Sequence, residues 1–361
     1  MSKLDKLQRL DLLNLPVGRE ATPTVVAKLD EDESPLDWPD ALKRRWADAF
    51  LAVDWNRHPP GHLDLQRAIA EPLGLEPDWV SLGAGADDML RNVLTAWCLR
   101  GTLVYPVPTN PTYGRLAQTL GIKHVAVLLK ADFTLPVEQV VATANNQEAS
   151  VVLVGNPNNP TGNLFARDEI LAIARDTGAL VVVDETHIEY SGVSLADAIP
   201  EVENLAVLRA FSHAAAFRVG YLLAHPRVTA EIEKIRLPHN VGGTALLAAQ
   251  VLLSSDDWPP SRADLVRERE TLRQALSAVQ GVVTWPSAAN FLLVGTTLDG
   301  RDLAERLLDK GVAVQAFDRS PLMNCVRVTV GTPAMNAIFV DAMTALFGAD
   351  PPAVGFKTSG R

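Results

Sequence analysis

The sequence predicts an α/β protein with a mostly parallel sheet sandwiched by helices and a second, smaller α/β lobe. Short runs rich in Val and Leu recur at residues 79–82, 103–106, 150–154, 179–183 and 204–208. They are apolar nearly throughout, as strands buried on both faces must be. Stretches with helical spacing lie between them, and that alternation is the signature of parallel α/β architecture. A chain of 361 residues has ample core for one large domain and one smaller one.

Composition narrows the function. Hydrophobic residues make up 47% and charged residues 21% of the chain, ordinary values for a globular enzyme. The formal net charge of −10 and the lack of a basic stripe argue against nucleic acid or an anionic membrane as partner. Cys98 and Cys325 are the only cysteines, which leaves no disulfide framework and no Cys-based zinc site. Residues 1–15 are amphipathic and carry Asp5 and Asp11. No secretory signal or membrane-spanning run is read from the sequence, and a cytoplasmic protein is expected.

Residues 1–25 form a leader without a firm pattern. The acidic run Asp30, Glu31, Asp32, Glu33, Ser34, Pro35 reads as a loop before a helix at 39–51. Trp55, Asn56, Arg57, His58, Pro59 and Pro60 make a turn before a helix at 63–73. The strand at 79–82 runs into Gly83, Ala84, Gly85, Ala86 and Asp87, then a helix to about Leu99. A glycine turn that opens a helix lets backbone N–H groups approach an anion, which the helix dipole favours.

The strand at 103–106 leads to Pro108, Thr109, Asn110, Pro111, Thr112 and Tyr113. The runs at 124–129 and 150–154 read as strands buried on both faces. The second ends at Asn156, Pro157, Asn158, Asn159, Pro160, Thr161, Gly162, at the carboxyl end of a strand, where open parallel sheets bind ligands. The strand at 179–183 delivers Asp184, Glu185, Thr186, His187, Ile188, Glu189, Tyr190, and that at 204–208 delivers Arg209 through Tyr221, including Ser212, His213 and Arg218.

The remainder reads as the smaller lobe. Helices are expected at 244–253 and 262–278, and strands at 281–285, 290–294 and 312–316. Ser287, Ala288, Ala289, Asn290, Phe291 and Val326, Arg327, Val328, Thr329 follow. The expected division is an N-terminal segment 1–50 joining the small domain, a large domain 51–245, a small domain 246–348 and a flexible tail 349–361.

These spaced motifs, over roughly residues 28–345, resemble the class I/II aminotransferases of pyridoxal phosphate (PLP) fold type I, most of all their histidinol-phosphate aminotransferase-like branch. The resemblance implies a homodimer with shared active sites, PLP or pyridoxamine 5′-phosphate as cofactor, and a small amino acid or amino-phosphate as substrate. It places Ala86, Asp87, Ser212 and Arg218 around the cofactor phosphate and stacks Tyr113 on the pyridine. Asn159 and His187 then lie near its phenolic oxygen, and Asp184 pairs with its ring nitrogen, which makes the ring an electron sink. His58 takes the place of a Tyr that reaches the neighbouring subunit's phosphate, and Arg327 grips a substrate carboxylate.

One departure dominates. The family carries PLP covalently on a Lys directly after the Ser equivalent to Ser212; here His213 stands there, and the turn to Arg218 is shorter. Imidazole is no primary amine, so ordinary Lys-dependent transamination is not expected. His58, His187, His213 and His239 all stand where the family has Lys, Tyr or another aromatic, and the first three are expected to face the cofactor cavity. Three readings stay open: an enzyme with His213 as general base, a catalytically silent PLP-binding homologue, or a metal site built from His58, His187 and His213.

Overall fold

The computed structural model describes residues 9, 12, 24–58, 62–255 and 262–348; most of the leader and the whole tail at 349–361 lie outside them. The chain begins with β1 (Ala27–Lys28), α1 (Asp40–Leu51) and α2 (His62–Ala70). A βα series follows: β2 (Val80–Gly83), α3 (Ala86–Trp97), β3 (Thr102–Val107), α4 (Thr112–Leu120), β4 (Lys123–Leu128) and α5 (Val137–Asn146). It continues with β5 (Ala149–Gly155), α6 (Arg167–Asp176), β6 (Leu180–Asp184), α7 (Ile188–Ser191), β7 (Leu205–Ala210), β8 (Gly220–Ala224), α8 (Pro226–Ile235) and α9 (Gly243–Leu253). The last part contains α10 (Arg262–Ser277), β9 (Val283–Thr284), β10 (Phe291–Gly295), α11 (Gly300–Leu308), β11 (Val312–Ala313), β12 (Gln315–Ala316), β13 (Cys325–Thr329) and α12 (Pro333–Phe347).

Seven strands form the large sheet in the order β2-β8-β7-β6-β5-β3-β4. Only β8 runs antiparallel to its neighbours. Alternate residues of each central strand enter different cores: Val152, Val154, Val181 and Val183 one, Val151, Leu153, Leu180 and Val182 the other. Helices therefore cover both faces, as the unbroken apolar runs require. A four-stranded antiparallel sheet, β12-β13-β10-β9, and the parallel pair β1-β11 lie in the C-terminal part. They share a third core with α10, α11 and α12. The fold is α/β, with a mostly parallel central sheet.

Several local expectations change. The run at 124–129 is not buried on both faces. β4 pairs only with β3, and Leu128 remains 64% exposed, because an edge strand has a neighbour on one side only. The helix expected at 63–73 stops at Ala70 and tightens to a 3-10 turn, Glu71–Leu73, ended by Gly74 at φ 68°. Pro72 has no N–H to continue the α-helical ladder. Residues 312–316 split between β11 and β12, which belong to different sheets. The helix at 243–253, read with the small lobe, places Leu246 and Ala249 in the core of the large sheet and Val251 and Leu252 against Leu42 of α1.

Candidate active site

Parallel pairing brings the carboxyl ends of β5, β6 and β7 level: Gly155 stands opposite Asp184, and Asp184 opposite Leu208. The loops leaving these ends open onto a cleft lined by Asp32, Gly85, Asp87, Tyr113, Asp184, His187, Ser212 and Arg218, among others. Six of the side chains singled out from sequence thus meet in one place with Ala86, although they come from four separate segments.

Asp184 forms the floor. Its Oδ2 accepts from Tyr113 Oη at 2.6 Å and its Oδ1 from the Thr186 N–H at 3.0 Å. Burial raises the carboxyl pKa against the lowering effect of both hydrogen bonds. Burial and the adjacent carboxylate likewise push the Tyr113 phenol well above its ordinary value. A buried carboxylate that already accepts from one O–H suits a protonated ring nitrogen.

At the opposite end, Gly85 at φ 89° precedes α3. A Cβ there would stand 2.9 Å from Arg218 Nη2, and the positive φ favours glycine where the guanidinium crosses the helix N-terminus. Arg218 pairs with Asp87 at 3.3 Å, and Ser212 donates its hydroxyl to Glu189. The backbone turn, hydroxyl and guanidinium fit a phosphate, with two carboxylates, Asp87 and Glu189, as their present partners.

His187 is half-buried against Phe291, edge to face at 5.1 Å. Burial, helped by the charge of Arg327, pulls its pKa down to about 3, so the imidazole is neutral at physiological pH. His58 does not face the cleft. It is exposed and stacks on His239, ring centres 4.2 Å apart and planes 4° from parallel; His239 itself has a left-handed backbone (φ 54°). His213 sits on the 3-10 turn Ser212–Phe217, and its side chain lies outside the described residues. Among the described residues no group of three or more His, Cys, Asp or Glu is arranged to hold a metal. His58 and His187 have separate surroundings, and the metal reading gains no support.

Arg327 and Asn159 are joined in a way the sequence did not reveal. Arg327 Nη1 donates to Asn159 Oδ1 and to Asp32 Oδ2, each at 2.8 Å, while Nη2 donates to the Asp30 carbonyl at 2.8 Å. Asn159 Nδ2 also donates to Asp32 Oδ2 at 3.2 Å. Asp32 lines the cleft, whereas Arg327 is not part of its wall. Sequence reading passed over Asp32 and Glu189. The acidic run that holds Asp32 was visible, but nothing in its spacing links it to β13.

Comparison with known proteins agrees with this architecture. The family model for aminotransferase class I and II matches residues 25–343. A histidinol-phosphate aminotransferase of Gloeobacter violaceus is 36% identical, covering 94% of this chain and 96% of its own length. Histidinol-phosphate aminotransferase 1 of Ralstonia nicotianae is 38% identical over 89% of each chain. Among solved structures, histidinol-phosphate aminotransferase from Sinorhizobium meliloti in complex with pyridoxal-5′-phosphate superposes with a TM-score of 0.85 at 23% identity, over 93% of this chain and 97% of that one. With the matched sequence spanning every strand of the three sheets, this chain belongs to the class I and II aminotransferases.

Proposed function

We propose that the chain is an aminotransferase-family enzyme that binds PLP or pyridoxamine phosphate in the cleft. It would act on a small amine-bearing substrate without a covalent lysine anchor, with His213 as its general base. The observation that carries this reading is the place of His213. It follows Ser212 on the turn beyond β7, and that turn contributes Ser212 and Ala215 to the wall of the cleft floored by Asp184.

The family is PLP-dependent, and the bound cofactor supplies an electron sink for the substrate's α-carbon. The protein's own groups divide the remaining work. Asp184 would pair with the ring nitrogen and keep it protonated, and Tyr113, whose Oη donates to Asp184, would lie beside the ring. The amides of Ala86 and Asp87, with Ser212 and Arg218, would hold the phosphate by charge-assisted hydrogen bonds at a helix N-terminus. Neutral His187 lines the wall without adding charge. His213 would take and return a proton at the substrate carbon, the general acid–base work for which imidazole is chemically suited. The proposed assembly is a homodimer, in which exposed His58 is free to reach a partner's site; sedimentation velocity tests it.

The functional test is solvent-deuterium exchange at the substrate's α-carbon, on cofactor-loaded protein, across a panel that includes histidinol phosphate. His213→Ala should slow exchange by about 100- to 10,000-fold. His124→Ala, on edge strand β4, should leave it unchanged. Exchange that survives His213→Ala would mean another base. Failure of both cofactor forms to bind in calorimetry would end the reading.

A further inference from the structure

The turn that carries Ser212 and His213 is made of small residues, and its large side chains stand at its two ends. Ala214, Ala215 and Ala216 have no side chain long enough to anchor it. Phe211 enters the turn and Phe217 closes it. Both pack on the cluster of Leu42, Val251 and Leu252, which α1 and α9 contribute. The Phe217 ring lies against two tryptophans, its centre 5.5 Å from that of Trp38 and 5.3 Å from that of Trp46. Trp46 Nε1 donates to the Thr244 carbonyl at 3.3 Å, which ties α1 to the start of α9 and steadies this wall.

The residue after Phe217 is Arg218, the guanidinium of the phosphate cradle. Its φ of 51° is left-handed, a conformation that a non-glycine residue keeps only where its surroundings impose it. Two backbone hydrogen bonds close the turn. The Arg218 N–H donates to the Ala215 carbonyl at 3.3 Å, and the Phe211 N–H to the Val219 carbonyl at 3.0 Å. Both bonds stay within the turn and its base, whereas the contacts of Phe217 reach α1. An aromatic ring buries a large apolar area, and this one sits directly beside the left-handed residue.

We propose that Phe217 is a positioning residue for the cofactor phosphate: its packing against Trp38 and Trp46 sets where Ser212 and Arg218 stand relative to the N-terminus of α3. This rests on the cleft being the cofactor site described above. Donors that act together on one ligand must be held to within about 0.5 Å by the groups behind them. Arg218 is exposed, so the group behind it is its neighbour in the chain. Phe217 is not part of the cleft wall and acts through Ser212 and Arg218 alone. α1 thereby supports the anionic end of the cofactor.

The test pairs two measurements on wild type, Phe217→Ala and Phe217→Tyr. Amide hydrogen exchange by mass spectrometry, on protein without cofactor, reads the turn. Phe217→Ala should exchange residues 211–219 at least about tenfold faster, and Phe217→Tyr, which keeps the ring, should stay close to wild type. Calorimetry then compares pyridoxamine phosphate with pyridoxamine. Phe217→Ala should lose at least about tenfold in affinity for the phosphate compound and less than about twofold for the other, with Phe217→Tyr near wild type for both. Unchanged exchange in Phe217→Ala overturns the anchor. Equal losses for the two compounds overturn the positioning role, because general loosening weakens both. Should Phe217→Ala fail to fold, Phe217→Leu, which keeps an apolar group without the ring, should show the same split in smaller measure. If wild type does not bind pyridoxamine phosphate, the functional reading fails and this role with it, while the exchange comparison still shows whether Phe217 holds the turn.

Discussion

Tyr113 Oη donates to Asp184 Oδ2 at 2.6 Å on the floor of the cleft, so a ring nitrogen that binds Asp184 must share or displace a phenol. Burial raises the folded-state pKa of Asp184. A carboxyl whose folded pKa exceeds its unfolded one binds its proton more tightly when folded, so stability falls as pH rises through that range. Asp184→Asn should therefore raise the Tm of the cofactor-free protein at neutral pH, and the difference should shrink below the unfolded carboxyl pKa of about 3.9. With pyridoxamine phosphate the effect should invert, because the variant loses the ion pair to the ring. Scanning calorimetry with and without cofactor reads both signs; a variant stabilised equally by cofactor would remove Asp184 from the site.

His187 has the opposite linkage. Burial, with the nearby charge of Arg327, lowers its pKa to about 3. The folded protein holds it neutral while the unfolded chain protonates near its ordinary value of about 6.5. Stability from this group is full above that value and is lost as pH falls toward 3, at no more than about 1.4 kcal/mol per pH unit. His187→Asn should flatten the decline of Tm between pH 6.5 and 4, at the expense of a lower Tm at neutral pH from the lost contact with Phe291. Parallel curves for the two proteins would show that His187 is not held neutral by the fold.

How far the sequence reached is clear from these residues. Asp184 and the Gly85 turn were legible because each sits directly at the end of a strand or the start of a helix, where local pattern fixes position. Asp32 opposite Arg327 was not, because that pairing depends on how the acidic loop crosses β13 and on no local period. β4 shows the same limit: its composition suits a buried strand, and only its place at the sheet edge exposes Leu128. α9 is apolar on every side, with Ala245, Leu246, Ala248, Val251 and Leu252 all buried, so no face told which lobe it serves. His58 was singled out for a neighbouring subunit's site, which its own chain does not contain, and here it stacks on His239.

Gly220 offers a test of the phosphate cradle from behind. A Cβ there would lie 2.4 Å from the Gly85 carbonyl carbon and 2.6 Å from the Ala86 nitrogen, closer than backbone can tolerate. Gly220→Ala should push the turn before α3 outward and destabilise the protein by about 1–3 kcal/mol, as overpacking does. Affinity for pyridoxamine phosphate should drop at least about tenfold, since amide donors to an anion lose strength steeply with misplacement. Pyridoxamine without its phosphate should be affected far less. Equal losses for the two compounds would place the phosphate elsewhere.

The last prediction concerns covalent attachment. If His213 stands in the place of the family's lysine, borohydride reduction of protein incubated with equimolar PLP should leave no peptide carrying the cofactor. Among the described lysines, Lys28 touches the cleft wall most directly, through its ion pairs with Glu31 and Glu33, two residues that line the cleft. Those two carboxylates keep its amine protonated, and a protonated amine is no nucleophile. Lys234, by contrast, is exposed on α8 beside Glu231. Peptide mass spectrometry after reduction distinguishes the cases. An unlabelled digest agrees with a cofactor held by Asp184, Arg218 and the α3 N-terminus alone. Stoichiometric label at Lys28 would show that β1 supplies the amine, and His213 would lose its claim to be the lysine's replacement. Restoring lysine by His213→Lys should produce label at residue 213 only if the shortened turn Ser212–Phe217 lets the longer side chain reach the cleft, which makes that variant a direct measure of the turn's geometry.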